Sequence, residues 1–270
     1  METSWINILI AAGIVMFVLG RVGFSWPFSR ALSRASAKIQ KFKFSNKHYE
    51  ECRQFLISHH YSYYHQLGEE DRNKFIVRTL VIMNEKKFVS EEDFVLNYEH
   101  KIILSSTLAQ LTFGILESHY SLPRFQWIHL YPHTFFSKIL NHQAKGLTVG
   151  DGRIFLSWDD FHKGYENGSD KVNLGLHEFA HALEIELKDA ENNDFNLWQF
   201  HAQKVMIDFQ EGRFGSFRSY ASTNIHELWA TTVETFFEAP HEFKRDHPQL
   251  YAATVRVLNQ DPTTISLRPA

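Results

Sequence analysis

The 270-residue chain has 44% apolar and 15% aromatic side chains, enough to bury one sizeable core, which excludes a disordered protein. Its 28 basic and 31 acidic side chains leave a formal net charge of -3, with no polybasic stripe interleaved with aromatics, so nothing steers the whole chain toward nucleic acid. The single cysteine, Cys52, excludes an intramolecular disulfide and reads as a small buried apolar residue in a reducing compartment.

Residues 5–19 are apolar except for Asn7, and residues 20–28 add apolar positions around Arg21. A bilayer core takes about 20 residues of helix, and residues 4–24 suffice if Arg21 snorkels. Glu2 precedes this stretch and Trp26-Pro27 follows it, unlike a cleavable secretory signal. Residues 1–28 are therefore expected to form a transmembrane signal anchor; the bland alternative is an apolar helix packed on the domain. Arg21, Arg30, Arg34, Lys38, Lys41 and Lys43 all lie on its C-terminal side, with no Lys or Arg before it. Positive charge stays cytoplasmic, so the expectation is a single-pass protein of the inner or plasma membrane with its bulk domain in the cytoplasm.

Residues 29–46 read as a basic, Ser-rich juxtamembrane linker, and residues 47–270 as the folded domain. From 47 to 88, apolar positions including Phe55, Leu67, Phe75, Leu80 and Met83 follow helical spacing, with Gly68 separating two helices. A third helix is expected from 91 or 101 to 118. Residues 124–131 are β-rich and close at Pro132, and residues 147–158 place the turn Gly150-Asp151-Gly152 inside a second β-rich stretch. Helices follow at 174–187, 196–210, 224–237 and 248–259. The pattern predicts an α+β fold: a helical N-terminal part, a small sheet of about four strands, and a helical C-terminal part, with the site held between them. There is no internal repeat.

The chemistry-bearing motif is His177-Glu178-Phe179-Ala180-His181. Residues four apart share a helix face, so both histidines can aim a ring nitrogen at one ion, and Glu178 projects toward a water at the metal's open position, where it can act as general base. With 16 histidines in the chain, such a match arises by chance in roughly 5% of sequences, so it needs context. Leu174, Phe179, Leu183 and Leu187 supply it as an apolar helical stripe. A catalytic zinc keeps three protein ligands, and the third comes from Glu227, Glu234, Glu238 or His226 downstream. Glu227 is preferred because it opens an apolar helix; Glu234, seven residues on, shares its face and suits a hydrogen bond to a ligand imidazole. His226 points roughly 100° away from Glu227.

These residues resemble the Mlc titration factor A family of zinc metallopeptidases, of gluzincin type and related in structure to the catalytic domain of anthrax lethal factor. Ile154-Phe-Leu-Ser-Trp158, His177-Glu-Phe-Ala-His-Ala-Leu-Glu184, Tyr220-Ala and Glu227-Leu-Trp-Ala with Glu234-Thr-Phe-Phe and Pro240 carry the likeness, which runs over residues 47–262. Asn224-Ile225-His226 departs from the small residues expected before Glu227, and the N-terminal anchor lies outside the likeness. The resemblance implies a zincin-like domain in which His177, His181 and Glu227 bind Zn2+, Glu178 is the catalytic base and Tyr220 lies in the active site. A phenol there can donate to the oxyanion of the tetrahedral intermediate; the other reading of Tyr220 is a packed core ring.

The expected function is hydrolysis of a peptide or protein substrate by metal-activated water, with aminopeptidase action implied only by the family. The strand at 152–158 is expected to be the sheet edge along which an extended peptide pairs. The alternative, also suggested by the resemblance, is a regulatory protein that binds and sequesters a transcriptional repressor. Neither reading involves direct nucleic-acid binding.

Overall fold

The computed structural model describes residues 46–59, 61–115 and 120–265. The expected membrane anchor and almost all of the expected linker therefore lie outside the described residues. Among the described residues, no helix is long and apolar enough to cross a membrane.

The N-terminal part consists of α1 (Asn46–Ser58), α2 (Ser62–Gln66), α3 (Glu69–Glu85), strand β1 (Lys87–Ser90) and α4 (Tyr98–Thr112). Two helices were expected before residue 88; there are three, followed by a strand. Tyr61 is extended (φ −60°, ψ 103°) and breaks the first run, while Gly68 caps α3 in an extended conformation. Glu69, Glu70 and Asp71 then face the positive end of the α3 dipole. The third expected helix is α4, which ends at Thr112 rather than 118. It starts on a reciprocal cap, in which the Asn97 side chain accepts from the His100 N–H at 2.9 Å and His100 Nδ1 accepts from the Asn97 N–H at 3.2 Å.

The sheet uses β1, β2 (Trp127–Tyr131), β6 (Arg153–Ser157) and β5 (Gly146–Val149) in the spatial order β1-β2-β6-β5, parallel except for β5. Ile128 pairs with Ile154 and Leu130 with Leu156, placing four buried aliphatic side chains on one face. A separate hairpin, β3 (Phe135–Ser137) with β4 (His142–Ala144), was not anticipated. The expected edge strand is corrected: β6 lies inside the sheet, and β5 is the edge. The turn at 150–152 folds β5 back along β6; Gly152 adopts φ +97°, and a Cβ there would lie 2.5 Å from the Arg124 carbonyl oxygen.

The C-terminal part is α5 (Trp158–Glu166), α6 (Leu174–Asp189), α7 (Asn193–Gln210), a 3-10 turn (Ser219–Ser222), α8 (Ile225–Glu238), α9 (Pro240–Asp246), α10 (Pro248–Leu258) and α11 (Pro262–Ile265). Short polar side chains start four of these helices: Ser157, Asn173, Asn192 and Asn224 each accept a backbone N–H of the first turn. Helix α6 packs against β5 and β6, against α8, and against α4 and α5. Its register on α8 is set by buried Trp229, whose indole N–H donates to the Ala180 carbonyl at 2.8 Å. The Trp229 ring meets Trp198 and Phe195 edge-on at 4.9 and 5.2 Å. At its other end α6 is tied to the approach to β2, where Glu186 accepts the Arg124 N–H at 2.9 Å.

Candidate metal centre

His177 and His181, one turn apart on α6, turn their Nε2 atoms toward each other at 3.2 Å. Glu227, in the first turn of α8, brings Oε2 to 3.2 Å from His177 Nε2 and 3.7 Å from His181 Nε2. Asn224 fixes that turn by accepting the N–H groups of His226 and Glu227 at 2.9 and 3.0 Å. Tetrahedral zinc with bonds near 2.0–2.1 Å separates its ligand atoms by roughly 3.3 Å; two of the three separations here match it at 3.2 Å and the third is wider at 3.7 Å. The buried Glu227 Oε2 has no hydrogen-bond partner, although both imidazoles lie within ion-pairing distance of it, so three potential ligand atoms converge on one point. This donor set suits zinc or another divalent ion of similar preference.

Each ring is held from behind. His177 Nδ1 lies 3.2 Å from Glu234 Oε1, and His181 Nδ1 lies 3.9 Å from Glu184 Oε2. Glu184 is buried and shared: His226 Nδ1 and Lys188 Nζ each lie 2.7 Å from its Oε1. Burial opposes charge on both histidines, but the surrounding carboxylates prevail. Glu227 and Glu234 raise His177 to about 10, and Glu184 and Glu227 raise His181 to about 9. Burial would raise Glu227, yet the two imidazoles hold it far below the usual carboxylate range. The pocket thus stabilises positive charge, and a dication entering it displaces protons.

Glu178 is buried on the sheet side of α6, with Oε2 2.7 Å from the Thr148 hydroxyl on β5. That hydroxyl also lies 2.9 Å from the Glu178 carbonyl oxygen, so its one proton is shared between the backbone and the carboxylate of Glu178. A Cβ on Gly146 would stand 2.5 Å from Glu178 Oε1, so any larger residue at that position of β5 would displace the Glu178 side chain. Tyr220 is half-exposed in the 3-10 turn, its ring centroid 6.0 Å from that of His177. Burial and the nearby Glu227 carboxylate push its phenol up to about 12, keeping it protonated at neutral pH.

All five expected site residues therefore gather in one cleft of about 910 Å³, which Gly146, Leu147 and Thr148 of β5 also line. Of the other third-ligand candidates, Glu234 lies behind His177 and His226 behind Glu184. Glu238 is turned away, accepting from Asn173 Nδ2 and the Lys171 N–H at 3.1 and 2.8 Å. Sequence reasoning missed the parts played by Thr148, Gly146, Glu184 and Arg218, whose guanidinium donates to Glu234 Oε2 behind His177. Glu184 carried a signal, because it stands three residues after His181 and so on its face. The other three carried none.

The family model described as glucose-regulated metallo-peptidase M90 matches residues 34–258. An uncharacterized protein of Synechocystis sp. is 25% identical over 221 residues, covering 73% of this chain and 80% of that one.

Proposed function

Since the chain belongs to the glucose-regulated metallopeptidase M90 family, we propose that it is a zinc-dependent peptidase with aminopeptidase-like action, its metal held by His177, His181 and Glu227. The observation that carries this reading is the convergence of three candidate ligand atoms 3.2–3.7 Å apart, with Glu227 Oε2 lacking a hydrogen-bond partner. Bound zinc supplies Lewis acidity, lowering the pKa of a coordinated water to about 7.

The chain's own residues do the rest. Glu234 and Glu184 orient the imidazoles so that their Nε2 lone pairs face the ion. Glu178, anchored by Thr148, takes a proton from the attacking water and passes it to the departing amine. Tyr220 donates to the oxyanion of the tetrahedral intermediate. The outer edge of β5 offers backbone groups to an extended substrate, which aligns the scissile carbonyl along the cleft.

Elemental analysis of the purified protein is expected to find about one zinc per chain, lost in His177→Ala. Glu178→Gln retains the zinc but loses hydrolysis by at least about 100-fold. Metal-free wild type after zinc is offered, or full turnover by Glu178→Gln, overturns the reading. Peptides with a free amino terminus are expected to be cleaved in preference to acetylated ones, and equal rates refute aminopeptidase action.

The composition of residues 1–28 and the basic residues after them support a further part of the proposal, a single-pass anchor with the peptidase domain in the cytoplasm. Protease applied to intact cells is expected to spare that domain. Its digestion from outside refutes the orientation.

A further inference from the structure

Glu234 is buried and has three polar neighbours. Its Oε1 faces His177 Nδ1 at 3.2 Å and accepts the Asn173 N–H at 3.3 Å, while Oε2 takes the guanidinium of Arg218. Arg218 is two-thirds buried and lines the cleft. Its planar guanidinium offers several N–H donors and can hold this carboxylate while keeping further donors free. Along the chain, Arg218 begins the turn that carries Tyr220, and its carbonyl accepts the Ala221 N–H at 3.0 Å. Phe217, just before it, is packed against Phe209 and Phe243. Tyr220 itself is 49% exposed, so its own packing fixes it weakly.

We propose that Arg218 is a positioning residue that joins the metal's outer shell to the Tyr220 turn, a role that rests on the zinc site proposed above. One guanidinium serves both ends. It neutralises the carboxylate behind His177, and it pins the start of the turn that brings Tyr220 to the cleft. Removing it leaves a buried carboxylate without its cation and loosens the orientation of His177. The same loss frees Tyr220 from its place beside the reacting carbonyl.

The test uses the full chain as wild type, Arg218→Gln, Arg218→Lys, Tyr220→Phe and the Arg218→Gln/Tyr220→Phe double variant. Zinc affinity is read by competition with a chromogenic chelator, kcat on a free-amino peptide, and melting of the metal-free proteins. Arg218→Gln is expected to weaken zinc binding by about 10-fold or more and Arg218→Lys to recover most of it. The kcat lost in the double variant is expected to match the larger single loss rather than the product of the two, as for groups acting as a unit. Unchanged zinc affinity in Arg218→Gln, with only the metal-free melting temperature lowered, overturns the proposal, as does a multiplicative double variant. A wild type that takes up no zinc is a separate result: it removes the metal site and this inference with it.

Discussion

Glu238 stands four residues after Glu234 on α8, yet the fold uses the two carboxylates differently. Burial raises the Glu238 carboxyl from 4.5 to about 7, even though Asn173 and the Lys171 N–H donate to it. A carboxyl whose folded pKa lies above its unfolded one binds an extra proton in the native state. Its stabilising contribution is complete below about pH 4.5 and is lost as pH rises through 7, by roughly 1–3 kcal/mol. Urea unfolding at pH 5 and pH 8 is expected to show a smaller loss of stability for Glu238→Gln than for wild type. Equal losses would falsify the shift. Because the amide also turns a donor toward a donor, the difference between the two pH values is the diagnostic quantity, rather than the absolute stability.

At the scale of elements, the site is made where α6, α8 and β5 meet. Glu227 and Glu234 are seven residues apart, two turns of α8, and bracket the His177 ring from its Nε2 and Nδ1 sides. That bracket requires α8 to pack on α6 at the register set by Trp229 and the Ala180 carbonyl. Strand β5 approaches from the other side so closely that Gly146 leaves no room for a methyl beside Glu178. Gly146→Ala is expected to keep zinc, because all three ligands lie on helices, but to push the Glu178 carboxylate aside and lower kcat by about 100-fold. An alanine variant with wild-type kcat and an unshifted Glu178 sinks this account of β5.

For the whole molecule, the three proposed ligands come from two helices, with Glu227 more than 40 positions after His181, so the unfolded chain offers no comparable site. Metal binding is then folding free energy. At a free zinc concentration 1,000 times its Kd, the folded state gains about 4 kcal/mol. For a domain of this size that is a shift of roughly 8–16 °C in melting temperature. Chelation is expected to lower the melting temperature by this order, with zinc restoring it. Glu227→Ala should show a much smaller response, and an equal response in that variant places the ion elsewhere.

The sequence by itself determined what depends on spacing along one element. His177 and His181 share a helix face because they are four apart, Glu227 and Glu234 share one because they are seven apart, and the turn at 150–152 had to double back because of its glycines. The α+β class and the helices read at 174–187, 196–210, 224–237 and 248–259 follow from the same periodicity, each within three residues of the observed ends. Short elements escaped it: β1, β3, β4, α5 and α9 have too few residues for a period to stand out from composition. Only the tertiary structure brought Glu227, rather than Glu234, Glu238 or His226, to the two imidazole Nε2 atoms, because these four candidates differ in where the docking of α8 places them. It alone made β5 rather than β6 the edge beside the cleft, and it alone brought Thr148, Gly146 and Arg218 to carboxylates distant in the chain. Contacts of that kind depend on the packing of whole faces, which leaves no periodic trace in the sequence.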